Sequence, residues 1–136
     1  MMKNSSKPVR TLIVEDNPLT ARLIEDFLRL DSLFQVVGTA HSGEEALELA
    51  ACCQPDLVLM DVEMPGIDGL EATKRLLAVQ PGLHVIIVSV HEGTEVRALA
   101  FKNGACGFVA KNRLVEELRV ALERVGMREK PEADSL

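Results

Sequence analysis

VLMDVEMPGIDG, residues 58–69, runs out of an unbroken apolar stretch into one carboxylate, Asp61, and then turns at Pro65-Gly66. The run that delivers Asp61, DLVLM (56–60), is apolar at nearly every position rather than at every second one. A strand of that kind is buried on both faces, which places it inside a parallel sheet covered by helices. Asp61 is then either an ordinary strand-end turn residue or a carboxylate held at the sheet edge for chemistry. Proline fixes φ and glycine permits turns that other residues resist, so the sequence must turn sharply just after Asp61.

Four more runs share the composition of DLVLM: VRTLIVE (9–15), FQVVGTA (34–40), LHVIIVSV (83–90) and CGFVA (106–110). Longer stretches of helical period separate them. PLTARLIEDFLRL (18–30) sets Leu19, Leu23, Ile24, Phe27 and Leu28 on one predicted stripe, behind Asn17 as cap and Pro18 as first helical residue. SGEEALELAACC (42–53) opens with Ser42 and Glu45 at capping-box spacing. DGLEATKRLLAV (68–79) starts at a capping Asp68, and EGTEVRALAFKNG (92–104) ends on Asn-Gly. RLVEELRVALERV (113–125) presents Leu114, Leu118, Ala121, Leu122 and Val125. Five βα repeats predict an α/β doubly wound parallel sheet. One domain is expected over residues 9–126, with flexible tails at 1–8 and 127–136.

The 136 residues suffice for an apolar core without disulfides or a structural metal. With four Phe and neither Tyr nor Trp, that core is aliphatic. A net charge of −6 argues against a nucleic-acid binder, which needs a basic surface. Three cysteines make neither a C-x-x-C pair nor an even framework, and they read as thiols in a reducing compartment. No stretch approaches a membrane span and MMKNSSKP lacks an apolar signal region, so a cytoplasmic protein is expected.

Strands of a parallel sheet end along one edge, and the first polar residues after the runs are Glu15-Asp16, Asp61, Ser89 and Lys111. Ligand sites in such folds lie at that edge. Singly, each residue has a plain reading: Asp16 as a cap, Glu15 or Lys111 as a solvated charge, Ser89 as a strand end. Together, three carboxylates repel one another and need cationic compensation. Lys111 supplies part, and Mg²⁺, which takes hard oxygen ligands and phosphate, suits the rest. A carboxylate beside Mg²⁺ and a lysine is equipped to attack phosphorus and become an acyl phosphate.

LIVEDNP (12–18), LVLMDVEMPGIDGLEA (57–72), VIIVSVHE (85–92) and GACGFVAKN (104–112) resemble the receiver domain of bacterial two-component response regulators, over about 9–125. Ser89-Val90, the GACGF stretch and Lys-Asn are similar to receivers of LuxR/NarL-type transcription regulators. The resemblance implies a flavodoxin-like (βα)5 fold of strand order 2-1-3-4-5. It implies Asp61 as the phosphoacceptor, fed by the phosphohistidine of a sensor histidine kinase or a phosphotransfer protein. It implies Mg²⁺ held by Asp16, Asp61 and the backbone carbonyl of Glu63, with Glu15 as companion acid. Lys111 would contact the phosphate, Ser89 would be the switch hydroxyl and Phe108 the aromatic that follows it. A homodimer would use the helix 4–strand 5–helix 5 face or helices 1 and 5. DNA would be reached only through an output domain absent from this chain. The ending MREKPEADSL reads as a regulator cut short, with a stand-alone receiver as the other reading.

Some residues depart from that pattern. A cis bond before Asn112, where many relatives have proline, would cost about 2.5–4 kcal/mol. Val90 is expected to narrow the entrance and slow small donors, and Phe108 lacks the hydroxyl of the frequent Tyr. Two rival classes fit less well. A haloacid-dehalogenase-like phosphohydrolase wants a second Asp where Glu63 stands, and a flavin module wants a Ser/Thr/Gly-rich loop where EDNPLT (15–20) stands.

Overall fold

Alternation along the central strands decides which side of the sheet each residue serves. The computed structural model describes residues 7–91 and 93–134, with side chains through 126. Its strands are β1 (Val9–Val14), β2 (Phe34–Ala40), β3 (Leu57–Asp61), β4 (His84–Ser89) and β5 (Gly107–Ala110). All neighbours pair in parallel, in the order β2-β1-β3-β4-β5. The helices are α1 (Pro18–Leu28), α2 (Gly43–Cys53), α3 (Gly69–Val79), α4 (Thr94–Lys102) and α5 (Leu114–Asp134), the last preceded by a 3₁₀ turn at Lys111–Arg113. This is the flavodoxin-like order that the resemblance implied.

Leu12, Val14, Val58, Met60, Val85 and Ile87 face a layer that includes Ala46, Ala50, Ala72, Leu76 and Ala100 of α2, α3 and α4. The intervening Ile13, Leu57, Leu59, Ile86 and Val88 face Ile24 and Leu28 of α1 and Leu114, Leu118, Leu122 and Val125 of α5. Strands buried on both sides are what a continuous apolar run requires. The edge strand β2 departs from that expectation, because Gln35 is exposed and Val36–Thr39 are half-buried. An edge strand has a neighbour on one side alone, so its run of apolar residues is only partly covered.

The cap residues act as their types predict. Asn17 Oδ1 accepts from the N–H groups of Leu19 and Thr20, Ser42 Oγ from Glu45, and Asp68 Oδ1 from Glu71. The reciprocal arm of the Ser42 box reaches one residue further back, with Glu45 Oε1 accepting from the His41 N–H at 2.7 Å. The stripe on α1 differs from the sequence reading. Ala21, Ile24 and Leu28 are buried, whereas Leu19 is 82% and Leu23 48% exposed. The helix seats a small residue against the sheet, and at 3.6 residues per turn that turns Leu19 and Leu23 to the far side. Helix α5 continues to Asp134, past the Val125 that ends its apolar stripe. The tail expected at 1–8 falls mostly outside the described residues. Among the described residues there is no cis peptide bond, and no helix is long and apolar enough to cross a membrane.

The sheet edge away from the strand C-termini is tied by Arg10. Its Nη1 donates to the carbonyls of Cys53 (2.6 Å) and Gln54 (2.9 Å), where α2 ends on a left-handed Gln54 with φ 50°. Its backbone N–H donates to Asp56 Oδ2. The guanidinium thus satisfies orphan carbonyls at a helix C-terminus. Arg10→Ala is expected to lower stability by about 1–2 kcal/mol, read from the urea midpoint.

Candidate functional site

Glu15 is the first residue after β1, Asp61 ends β3, Ser89 ends β4 and Lys111 follows β5, so the parallel sheet delivers all four to one edge. Glu15 (1% exposed) and Asp61 (3%) are carboxylates at the rim of an aliphatic core. Lys111 Nζ reaches both, 3.0 Å from Glu15 Oε1, 3.2 Å from Glu15 Oε2 and 3.1 Å from Asp61 Oδ1. Asp16 stands beside them, exposed, and one carboxylate oxygen each of Glu15, Asp16 and Asp61 lie within 4.8 Å of one another. Asn17 N–H donates to Glu15 Oε2 at 3.1 Å, and Glu63 N–H approaches Asp61 Oδ1 at 3.4 Å.

One ammonium faces three acids. Burial first, and then the charge of Glu15, push the Asp61 carboxyl up to about 7, with Lys111 pulling the other way. Burial works against the charged form of Lys111, but the hydrogen bond and charge of Glu15, followed by Asp61, outweigh it and raise its affinity for the proton. Glu15 Oε1 lies close to the ammonium yet outside hydrogen-bond angles, and it is the one buried side-chain oxygen without a hydrogen bond among the described residues. An orphaned buried oxygen and three carboxylates within 4.8 Å of one another are the hard oxygen donors that a divalent cation takes. The residues therefore fit Mg²⁺.

Ser89 and Phe108 are placed differently. Ser89 is fully buried at the same edge, and its Oγ accepts from His91 N–H at 3.0 Å rather than touching the acids. Phe108 sits two residues inside the end of β5, 8% exposed, with the Arg97 guanidinium 5.5 Å from its ring centre. Arg97 also lies 5.6 Å from Phe101 on its own helix, a distance suited to cation–π attraction on both rings. The Glu63 carboxylate pairs with the His91 imidazole across the mouth of the site. Val90 is 54% exposed.

Three contributors escaped the sequence reading. Gly69 N–H donates to the Val62 carbonyl at 2.8 Å, seating the start of α3 directly on the end of β3. Glu44 Oε2 on α2 accepts from Ile67 N–H at 3.2 Å, under Gly66, whose φ is +80°. Glu117 Oε1 on α5 accepts from Ala110 N–H at 2.9 Å. The first has a signal in the Asp-Gly pair at 68–69, beyond the cap that Asp68 supplies; the other two are contacts between elements and leave no local pattern.

The description "response regulator receiver domain" belongs to the family model that matches residues 11–123. The chain belongs to this family. Receiver domains bind Mg²⁺ at an acidic pocket and interact with histidine kinases or phosphotransfer proteins, and Glu15, Asp16 and Asp61 form an acidic cluster in this one. The receiver domain is 41% identical over 117 residues to the response regulator GacA of Pseudomonas aeruginosa, covering 86% of this chain and 55% of that protein. It thus spans about half the length of the GacA relatives it matches. Among solved structures it superposes on the signal receiver domain of the response regulator NarL from Mycobacterium tuberculosis with TM-score 0.81 and 30% identity, covering 88% of this chain and 96% of that one. A DNA-binding response regulator of the LuxR family from Staphylococcus aureus gives TM-score 0.79 and 26% identity, over 86% and 98% of the two chains.

Proposed function

We propose that this receiver domain takes a phosphoryl group onto Asp61 from the phosphohistidine of a sensor histidine kinase or a phosphotransfer protein, and passes the change to an output. The observation that carries this reading is the Lys111 ammonium bridging Glu15 and Asp61, within 3.0–3.2 Å of both carboxylates. An Asp61 oxygen attacks phosphorus, the P–N bond to the donor histidine breaks, and its electron pair returns to the imidazole. Lys111 offsets charge on the incoming group and holds the nucleophile in place, while Glu15, buried behind it, keeps the ammonium protonated. Asp16, Asp61 and the Glu63 carbonyl would hold Mg²⁺, with Glu15 as companion acid; when bound, the ion supplies the positive charge that the equatorial oxygens need.

Phosphorylation adds up to two negative charges next to Ser89. Its hydroxyl, whose oxygen accepts from the His91 N–H, would turn its own O–H to donate to a phosphoryl oxygen, drawing the loop before α4 inward. Phe108 and Arg97 would then reposition α4 over β5. A partner reads the α4–β5–α5 face, or a second copy docks there or on α1 and α5. The output is control of transcription through a DNA-binding domain outside this chain, supported by the similarity to LuxR-family regulators. The domain catalyses only its own phosphorylation and dephosphorylation.

Mass spectrometry after incubation with Mg²⁺ and acetyl phosphate tests the reading. One added phosphoryl group should map to Asp61 and vanish in D61N or in excess chelator. Label on D61N, or at another residue in the native domain, would overturn it.

A further inference from the structure

We infer that Glu117 is a positioning residue for Lys111, acting through the backbone at the end of β5; this rests on the role given to Lys111 above. β5 is the last strand in the order β2-β1-β3-β4-β5, so one side of it has no strand neighbour among the described residues. Ala110 pairs with Ser89 on its inner side, and its N–H donates to Glu117 Oε1 at 2.9 Å instead of to another strand. Ala110 is the residue immediately before Lys111. The side chain that reaches across to Glu15 and Asp61 therefore leaves a backbone pinned by a carboxylate seven residues further along.

The plainer role of Glu117 is that of a first-turn acid on α5, favourable at a helix N-terminus and near Arg113. That role differs in kind from what is seen. Glu116 occupies the first turn as well, whereas Glu117 makes the bond to β5. The contact to Arg113 is 3.8 Å and its arginine side is exposed, while the bond to the Ala110 N–H is short and charge-assisted. The segment from Ala110 to Leu114 turns through a single 3₁₀ turn with no side-chain cap of its own. Glu117 thus adds a polar tie between β5 and α5 across that turn, beside the apolar packing of Val109 on Leu114 and Leu118, and Lys111 is the first residue of the turn.

Two measurements test this, one of them independent of phosphorylation. Limited acylation of the folded domain, mapped by peptide mass, reads the freedom of the Lys111 amine against the exposed Lys74 and Lys102. Glu117→Ala should raise Lys111 acylation about tenfold, the scale of one lost hydrogen bond to a charged acceptor, with Lys74 and Lys102 unchanged. Glu117→Gln keeps an accepting oxygen without the charge and should fall between Glu117→Ala and the native rate. Arg10→Ala, which loosens the opposite sheet edge, should leave Lys111 as it is. In the second measurement, Glu117→Ala should slow transfer from acetyl phosphate in the native background and have no added effect in Lys111→Ala, the signature of a pair acting as one unit. Unchanged acylation in Glu117→Ala, or an equal slowing in both backgrounds, overturns the proposal. If the native domain takes no phosphoryl group at Asp61, the parent reading falls, and the acylation rates still decide whether Glu117 holds Lys111.

Discussion

Asp61→Asn should make the metal-free domain more stable at neutral pH and above, although it removes the proposed nucleophile. Asp61 binds its proton more tightly in the fold, near pH 7, than its ordinary 3.8. A raised carboxyl contributes most to stability below the unfolded value and loses that contribution as pH climbs from about 4 to about 7. At about 1.4 kcal/mol per unit, three units set a ceiling of roughly 4 kcal/mol on the loss, the whole of it present above pH 7. Asparagine cannot ionise, so the variant escapes the penalty. Urea unfolding followed by far-UV circular dichroism in chelator should show the gap widen from about pH 4 to about pH 7 and then level off. Millimolar Mg²⁺ should narrow it by stabilising the native protein more than the variant. Equal midpoints across that range would mean that Asp61 does not feel Glu15 and burial as the structure describes.

Gly69→Ala should damage stability and phosphoryl transfer together. The constraint at Gly69 is space, since its φ is an ordinary negative one. A Cβ there would fall inside contact distance of the Asp61 carbonyl group, 2.8 Å from its carbon and 2.9 Å from Val62 Cα. Both are backbone atoms, so no rotamer change relieves the overlap. Either α3 withdraws, breaking the Gly69 N–H bond to Val62, or the end of β3 shifts and takes Asp61 with it. The expected cost is about 3 kcal/mol, the upper range for overpacking. Displacing the nucleophile by even about 1 Å is expected to slow transfer from acetyl phosphate about a hundredfold. Native stability and an unchanged rate would show that this helix–strand junction is slack.

These two residues also show what the chain discloses before it is folded. Asp61, Glu15, Asp16 and Lys111 could be grouped from sequence because parallel strands end on one side, so period alone maps distant residues to one edge. Strand number and helix caps were legible for the same reason: each depends on residues within one turn or one strand. The failure on α1 is instructive. Helical period sets Leu19 and Leu23 on the stripe of Ile24, Phe27 and Leu28, whereas the sheet accepts Ala21, because close approach of helix and strand favours a small side chain. Gly69, Glu44, Arg97 and Glu117 act across elements, and nothing local distinguishes Glu117 from Glu116. The strand order itself came with the family resemblance, not from any periodicity.

The bond between Glu117 and the Ala110 N–H has a bearing on solubility. A terminal strand offers unpaired amide groups to any other extended chain, and natural sheets blunt such edges with charge, brevity or cover. β5 has four residues, and its last amide is already occupied by a carboxylate. An incoming strand would have to evict a negative charge before it could add to the sheet. The same contact that steadies Lys111 therefore hinders the addition of a further strand at this edge of the sheet.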